Sequence, residues 1–221
     1  MSSLSLVLPC YNEELSLPQL VNRAIVCARK RKMAPSQFRL ILVENGSSDN
    51  SLKVMEELKE KEDGAYIDIV KVFPNEGYGN GIFRGLKITN TDFVAWTHAD
   101  EQCDPEDVFL AWEKLQQEDE LTIFKGKREG RAFSEKFVSR GFEWVARVIL
   151  SIKLSEINAQ PKVFPRKLIA ELNNPPKDFA FDLYVLLRGL NKGYTIKEIE
   201  VLFPPRVHGE SNWSSTFSSK F

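Results

Sequence analysis

An α/β fold with a mostly parallel central sheet flanked by helices is the class this sequence predicts, and two observations carry it. Short β-rich runs alternate with stretches of helical periodicity through the first half of the chain, the pattern of a parallel sheet with crossover helices. The 221 residues contain no internal repeat and no low-complexity linker, so one domain with a sizeable core is expected.

The elements follow in order. Leu4–Leu8 is an apolar run closed by Pro9 and reads as a first strand. From Leu17 to Arg31, the residues Leu17, Leu20, Val21, Ala24, Ile25 and Ala28 recur at helical spacing. Phe38–Val43 is a second strand, and Ser48 or Asp49 caps a helix reaching Lys61, with Leu52, Met55 and Leu58 inward. Ile67–Phe73 is a third strand. A glycine-rich segment then opens a helix that runs through Leu86, and Phe93–Thr97 is a fourth strand. Pro105 suits the first turn of a helix ending at Leu115. Leu121–Phe124 reads as a fifth strand, Ser134–Ile152 as a long helix, Pro161–Phe164 as a short strand and Phe181–Leu190 as a helix. Thr195–Phe203 alternates like an edge or hairpin strand, and residues 212–221 are polar and expected to be mobile.

Composition removes several classes of function. Lys and Arg number 30 against 31 Asp and Glu, a net charge of −1; a nucleic-acid module needs a basic field that this chain lacks. Three cysteines without CxxC spacing exclude a disulfide framework and a cysteine-rich zinc site. The start lacks the basic n-region of a signal peptide, and no apolar run approaches the roughly 18 residues of a membrane span. The expected location is cytoplasmic, or peripheral on the inner face of a membrane.

In open parallel sheets, ligands bind where the loops converge at the carboxyl ends of strands. Here those loops are polar. Strand one delivers Asn12-Glu13, strand two Glu44-Asn45-Gly46-Ser47, and strand four His98-Ala-Asp100-Glu-Gln102. Their oxygens suit base and ribose hydrogen bonds, and a carboxylate beside another oxygen or an imidazole suits a divalent cation. Gly77-x-Gly79-x-Gly81 follows the third strand rather than the first, so it is no dinucleotide fingerprint. A close backbone approach to a nucleotide and a plain helix-start turn both remain open for it. His98 and Cys103 have no second His or Cys at zinc-ligand spacing.

Taken together, these residues resemble the family 2 glycosyltransferases of the GT-A (nucleotide-diphospho-sugar transferase) fold. Val7-Leu-Pro-Cys-Tyr-Asn-Glu13 is similar to their V-P-x-Y-N-E start, and Val43-Glu-Asn-Gly-Ser-Ser-Asp49 to V-D-D-G-S-x-D. Asn75-Glu-Gly-Tyr-Gly-Asn-Gly81 resembles N-x-G-x-G-x-A, and His98-Ala-Asp-Glu-Gln102 stands where they carry D-A-D-x-Q. Ser139-Arg-Gly141, Phe179-Ala-Phe-Asp182 and Arg206-Val-His-Gly-Glu-Ser211 point to the dolichol-phosphate mannose synthase and polyprenyl-phosphate glycosyltransferase branch.

The resemblance implies an inverting transfer of a sugar from a nucleotide-diphosphate sugar. The acceptor would be a polyprenyl phosphate or a cell-envelope glycan, with a saccharide or a protein as the alternatives. It implies a nucleotide-sugar-binding half over residues 1–130 and an acceptor-side half over 131–211. Pro9, Tyr11, Glu13, Val43 and Asn45 would line the base and ribose, with Gly77 and Ala99 beside the nucleotide. Asp100, Gln102 and His98 would hold Mg²⁺ or Mn²⁺ on the diphosphate. Arg206 would meet the leaving phosphate, and Asp182 would act as base or acceptor-side orienter. Charge building on the departing nucleotide is what a cation and an Arg stabilise. In an extended strand end, positions 98, 100 and 102 face one side.

Departures from the pattern are His98 for the first Asp of D-A-D, Glu44-Asn45 for the D-D pair and Asn212 for a Lys. The segment Glu156-Ile-Asn-Ala-Gln-Pro-Lys162 also differs from the S-G-F-R-like stretch of the mannose synthases. The helix Ser134–Ile152 mixes Trp144, Val148 and Ile149 with Arg140, Arg147 and Lys153, and is read either as packed on the sheet or as lying on anionic lipid. A homo-oligomer is compatible with this pattern. The rival readings are a nucleotide-sugar binder without turnover and a nucleotidyltransferase; the latter calls for a basic, glycine-rich loop after strand one that Cys10-Tyr-Asn-Glu13 does not provide.

Overall fold

The computed structural model describes residues 2–129 and 156–204. The sequence elements at Ser134–Ile152, Ser139-Arg-Gly141, Arg206–Ser211 and 212–221 lie outside the described residues.

The strands are β1 (Leu4–Cys10), β2 (Phe38–Glu44), β3 (Ile67–Lys71), β4 (Phe93–Trp96), β5 (Thr122–Glu129), β6 (Lys162–Pro165) and β7 (Thr195–Leu202). They form a seven-stranded sheet of order β3-β2-β1-β4-β6-β5-β7. The pairs β1–β2, β1–β4, β2–β3 and β5–β7 are parallel, and β6 alone runs antiparallel between β4 and β5. The helices are α1 (Leu17–Lys30), α2 (Ser51–Glu60), α3 (Tyr78–Lys87), α4 (Pro105–Leu115) and α5 (Ala180–Asn191), with short 3-10 helices at Glu62–Tyr66 and Arg166–Glu171.

Strand alternation sorts the core into two layers. Leu4, Leu6 and Leu8 of β1 with Leu40 and Leu42 of β2 pack against α1, α2 and α4. Their odd-numbered neighbours Val7, Ile41 and Val43 point the other way, toward Ile82 and Leu86 of α3 and Phe181 and Val185 of α5. Because both faces are covered, β1 and β2 are apolar nearly throughout. Trp96 sits edge-on to Phe164 and Phe181 (5.6 and 5.5 Å) and joins β4, β6 and α5.

Three expectations change. The helix after β2 begins at Ser51 rather than at Ser48 or Asp49. Asp49 accepts the Ser51 N–H (2.9 Å) and the Glu14 N–H (3.1 Å), which draws it into a bridge between loops. The fifth strand extends to Glu129, past the apolar run, because its lysines meet acids directly opposite on β7: Lys125 with Glu198 (2.9 Å) and Lys127 with Glu200 (3.5 Å). Of the two readings for the strand from Thr195, the edge strand holds and the hairpin arm does not, since it lies last in the sheet and pairs in parallel with β5.

Gly85 lets α3 sit directly on the sheet. A Cβ there would lie 2.5 Å from Val7 Cγ1 and 2.8 Å from Val43 Cγ2. Gly85→Ala is therefore expected to cost about 1–3 kcal/mol through overpacking, read as a lowered urea midpoint; an unchanged midpoint would contradict this packing.

Candidate active site

The strand order places a crevice at one position. From β1 the chain goes to β2 and β3 on one side and to β4 on the other, so the loops leaving β1 and β4 part at the carboxyl edge. The β1 loop carries Tyr11 and Glu13, and the β4 loop carries His98, Asp100 and Gln102.

The β1 loop is fastened to the β2 loop. Asn12, in the left-handed region at φ 58°, donates its N–H to Ser47 Oγ (3.2 Å) and accepts the Ser48 N–H (2.8 Å). Ser51 Oγ accepts the Glu13 N–H (2.8 Å), and Glu14 Oε2 accepts both the N–H and the Nδ2 of Asn50 (3.0 and 2.7 Å). Tyr11 is 38% exposed and free to meet a ligand with its ring. Glu13 is partly buried and accepts the Ser16 hydroxyl (3.0 Å) at the start of α1. Pro9 lies opposite Val43 in the β1–β2 register. The Val43 side chain is fully buried under Gly85, so it offers packing and no surface to a nucleotide.

The glycine segment has a different partner from the one its sequence suggested. A Cβ on Gly77 would lie 2.4 Å from the Lys177 carbonyl oxygen. One on Gly79 would meet the carbonyls of Pro176 and Asp178 (2.6 and 2.7 Å), and one on Gly81 the Asn45 side chain (3.2 Å). The close approach on the Cβ side is thus by the chain's own backbone just ahead of α5, and Gly77 stands at the start of α3, as the helix-start reading had it. Asn45, 4% exposed, donates Nδ2 to the Gly77 carbonyl (3.2 Å), and its Oδ1 is buried without a hydrogen-bond partner.

The β4 loop is not an extended strand end. Glu101 adopts φ 61°, and the Gln102 N–H turns back onto Asp100 Oδ1 (3.2 Å). Gln102 is also tied through Nε2 to the Pro204 carbonyl (3.0 Å). Positions 98, 100 and 102 therefore do not line up on one side as the sequence suggested. Ala99 is buried, and Asp100 is only 4% exposed. The His98 ring stacks on Tyr78 (5.9 Å between centroids). Burial pushes the His98 imidazole below its ordinary pKa, against the pull of Asp100 and Asp182, so it is a neutral nitrogen donor at neutral pH. No group of three or more His, Cys, Asp or Glu side chains forms a metal cage among the described residues. Even so, the buried Glu101 carries an oxygen, Oε1, with no hydrogen-bond partner. With Asp100 beside it in sequence, the loop has the hard carboxylate donors that suit a divalent cation completed by a diphosphate.

On the other side of the crevice, Asp182 is 1% exposed in the first turn of α5. Its Oδ1 accepts from Lys162 Nζ (2.8 Å) and from Gln160 Nε2 (2.8 Å), and Lys162 also donates to the Ala159 carbonyl (2.7 Å). Gln160 Nε2 reaches the Tyr78 hydroxyl as well (3.1 Å). Burial lowers the Lys162 pKa, and the adjacent Asp182 charge opposes that shift. Burial, then the charge of Asp182, raises the Tyr78 phenol. Sequence reasoning passed over Lys162, Gln160, Tyr78 and Glu101. The signal for the first was there: one lysine inside a short apolar strand calls for a buried acid. Lys162→Met would strand the Asp182 charge and is expected to cost about 3–5 kcal/mol, most of it recovered in Lys162→Met with Asp182→Leu. Urea unfolding checks both, and a neutral single variant would show the pair is not a buried one.

Comparison with known proteins agrees with this geometry. An undecaprenyl-phosphate 4-deoxy-4-formamido-L-arabinose transferase of Proteus mirabilis is 40% identical over 107 residues, which are 48% of this chain and 32% of that protein. A protein of the same name from Pseudomonas fluorescens strain SBW25 is 28% identical over 214 residues, 96% of this chain. The chain spans only 60% of the length of that relative. The crystal structure of glucosyl-3-phosphoglycerate synthase from Mycobacterium tuberculosis, in complex with Mn²⁺, UDP and phosphoglyceric acid, shares the GT-A fold. Its TM-score is 0.73 at 18% identity, over 98% of this chain and 74% of that one. The model of the glycosyl transferase family 2 matches residues 5–160, from β1 through the polar loops of the crevice to Gln160, and the chain belongs to that family.

Proposed function

We propose that this chain transfers a glycosyl group, with inversion, from a nucleoside diphosphate sugar to a polyprenyl phosphate. The observation that carries the acceptor is the state of Asp182. A saccharide hydroxyl must lose a proton as it attacks, which calls for a base within reach. The carboxylate that the sequence offered for that role is buried and shares one oxygen between Lys162 and Gln160, which suits an orienting group. A phosphate monoester is already anionic near neutral pH and needs no base. Its oxygen attacks the anomeric carbon, the bond from that carbon to the diphosphate breaks, and the nucleoside diphosphate leaves with the electron pair. The names of the two transferases above, both acting on undecaprenyl phosphate, support the same class of acceptor.

On the donor side, Tyr11, Glu13 and the Asn45 loop form the nucleotide wall, with Pro9 and the buried Val43 beneath it as strand-end support. Asp100, joined by His98 or Gln102, would hold Mg²⁺ or Mn²⁺, whose chemistry is to offset the charge on the leaving diphosphate. The solved relative that holds Mn²⁺ and UDP supports a metal-assisted donor site. Arg206 is proposed as a second cation for that charge. Among the described residues no helix is long and apolar enough to cross a membrane. The basic apolar set at Arg140, Trp144, Arg147 and Lys153 is proposed to meet an anionic lipid surface where the acceptor resides.

A melting screen of UDP-, GDP- and dTDP-sugars with Mg²⁺ or Mn²⁺ should single out one donor, with about 2.7 kcal/mol of stabilisation at 100 times its Kd. Asp100→Asn should abolish transfer to undecaprenyl phosphate while leaving the melting temperature of the free protein unchanged. Transfer that proceeds to a saccharide and not to the lipid phosphate would overturn the acceptor; activity surviving both EDTA and Asp100→Asn would overturn the metal. Binding to anionic liposomes should weaken as salt rises, because the attraction is screened over about 10 Å at 0.1 M. Retention in the supernatant at low salt would remove the lipid contact.

A further inference from the structure

Tyr78 opens α3 within the glycine segment, and its contacts run to both sides of the crevice. Its ring lies against the His98 imidazole (5.9 Å, 21° between planes) and against Phe179 (4.8 Å, 21°). Its hydroxyl accepts from Gln160 Nε2 (3.1 Å), and the same amide nitrogen donates to Asp182 Oδ1 (2.8 Å). One side chain therefore touches the β4 loop, the residue before α5 and the network that holds Asp182.

The backbone leaves this residue little freedom. Gly77 precedes it at φ 106°, walled by the Lys177 carbonyl, and Gly79 follows it, walled by the carbonyls of Pro176 and Asp178. The Asn80 N–H donates to that same Lys177 carbonyl (3.1 Å), and Glu76 pairs with Lys177 (3.4 Å). The segment 76–80 is thus clamped to the segment 176–179 on both sides of Tyr78.

We propose that Tyr78 is a positioning residue that sets the separation of the donor-side loop bearing His98 and Asp100 from the acceptor-side network at Asp182. It acts by two separable means. Ring stacking resists sliding of the β4 loop past α5, and the hydroxyl bond to Gln160 fixes the depth of the Asp182 network. The inference rests on the glycosyl transfer proposed above. A misplacement on the scale of 1 Å between reacting groups costs about 100-fold in rate. The effect therefore falls on kcat. Binding of the nucleoside is spared, because the β1 and β2 loops that form its wall are fastened by bonds of their own.

The test compares Tyr78→Phe, which keeps the ring and loses the hydroxyl, with Tyr78→Leu, which loses both. Crystal structures of the wild type and Tyr78→Leu should differ by about 1 Å in the distance from His98 to Asp182, the scale of misplacement at issue. An unchanged distance overturns the proposal whether or not turnover is seen. With the donor and undecaprenyl phosphate that the wild type turns over, Tyr78→Leu should lose about 100-fold and Tyr78→Phe about 10-fold in kcat, with donor KM within about twofold. Wild-type kcat in both variants, or a loss confined to KM, overturns it. A wild type without turnover on any donor sinks the transfer reading alone, and the pair of structures then decides on Tyr78.

Discussion

An ammonium group buried to 1% exposure must keep its carboxylate, and the Lys162–Asp182 pair is the constraint on which the acceptor side is built. Lys162 is the first residue of β6 and lies opposite Trp96 in the β4–β6 register. Asp182 stands in the first turn of α5. The pair therefore pins the one antiparallel strand of the sheet to the helix that covers it, while Trp96, Phe164 and Phe181 fill the space around the charges. With its ammonium committed to Asp182 and to the Ala159 carbonyl, Lys162 is a structural cation first. That commitment also decides what Asp182 can do.

From this anchor the coupling runs to the donor loops through short-range contacts. Gln160 shares Asp182 with Lys162 and passes to Tyr78, whose ring lies on His98. Gly77 and Gly79 seat their segment against the backbone at Pro176–Asp178, and Asn45 reaches the Gly77 carbonyl from the β2 loop. Most of the buried side-chain polar atoms that lack partners gather along this path: Asn45 Oδ1, Asn80 Nδ2, Trp96 Nε1, Thr97 Oγ1, Glu101 Oε1 and Gln160 Oε1. Buried polar groups are normally satisfied, and among the described residues this path is where donors and acceptors remain open to a ligand on the proposed reading.

The sheet was legible because its strands are local signals. Leu4–Leu8 and Phe38–Val43 are apolar runs bounded by polar loops, and the structure places strands at both. The polar βα loops were legible as the functional edge for the same reason, since loop position follows from strand order. What lay hidden was set by residues distant in sequence. Gly77 and Gly79 read either as room for a nucleotide or as a helix start; the helix start is there, and the backbone seated against it belongs to residues near 177. The second half of β5 was missed because the apolar run ends at Phe124, and what carries the strand on is the pairing of Lys125 and Lys127 with the distant Glu198 and Glu200. The line-up of His98, Asp100 and Gln102 failed on one dihedral: Glu101 at φ 61° turns the chain, and no pattern of residue types announces a left-handed Glu.

The two halves of the crevice thereby divide the chemical problem unequally. The donor loops carry the acids, exposed rings and unpartnered oxygens that a nucleotide, a diphosphate and a cation can use. The acceptor side carries a carboxylate already spent on an ammonium and an amide. A general base needs an oxygen within hydrogen-bond reach of the proton it abstracts. Here Oδ1 of the carboxylate is taken by Lys162 and Gln160 in the buried first turn of α5. On the proposed reading, such a carboxylate holds position for an acceptor whose nucleophilic oxygen is already charged, as a phosphate's is.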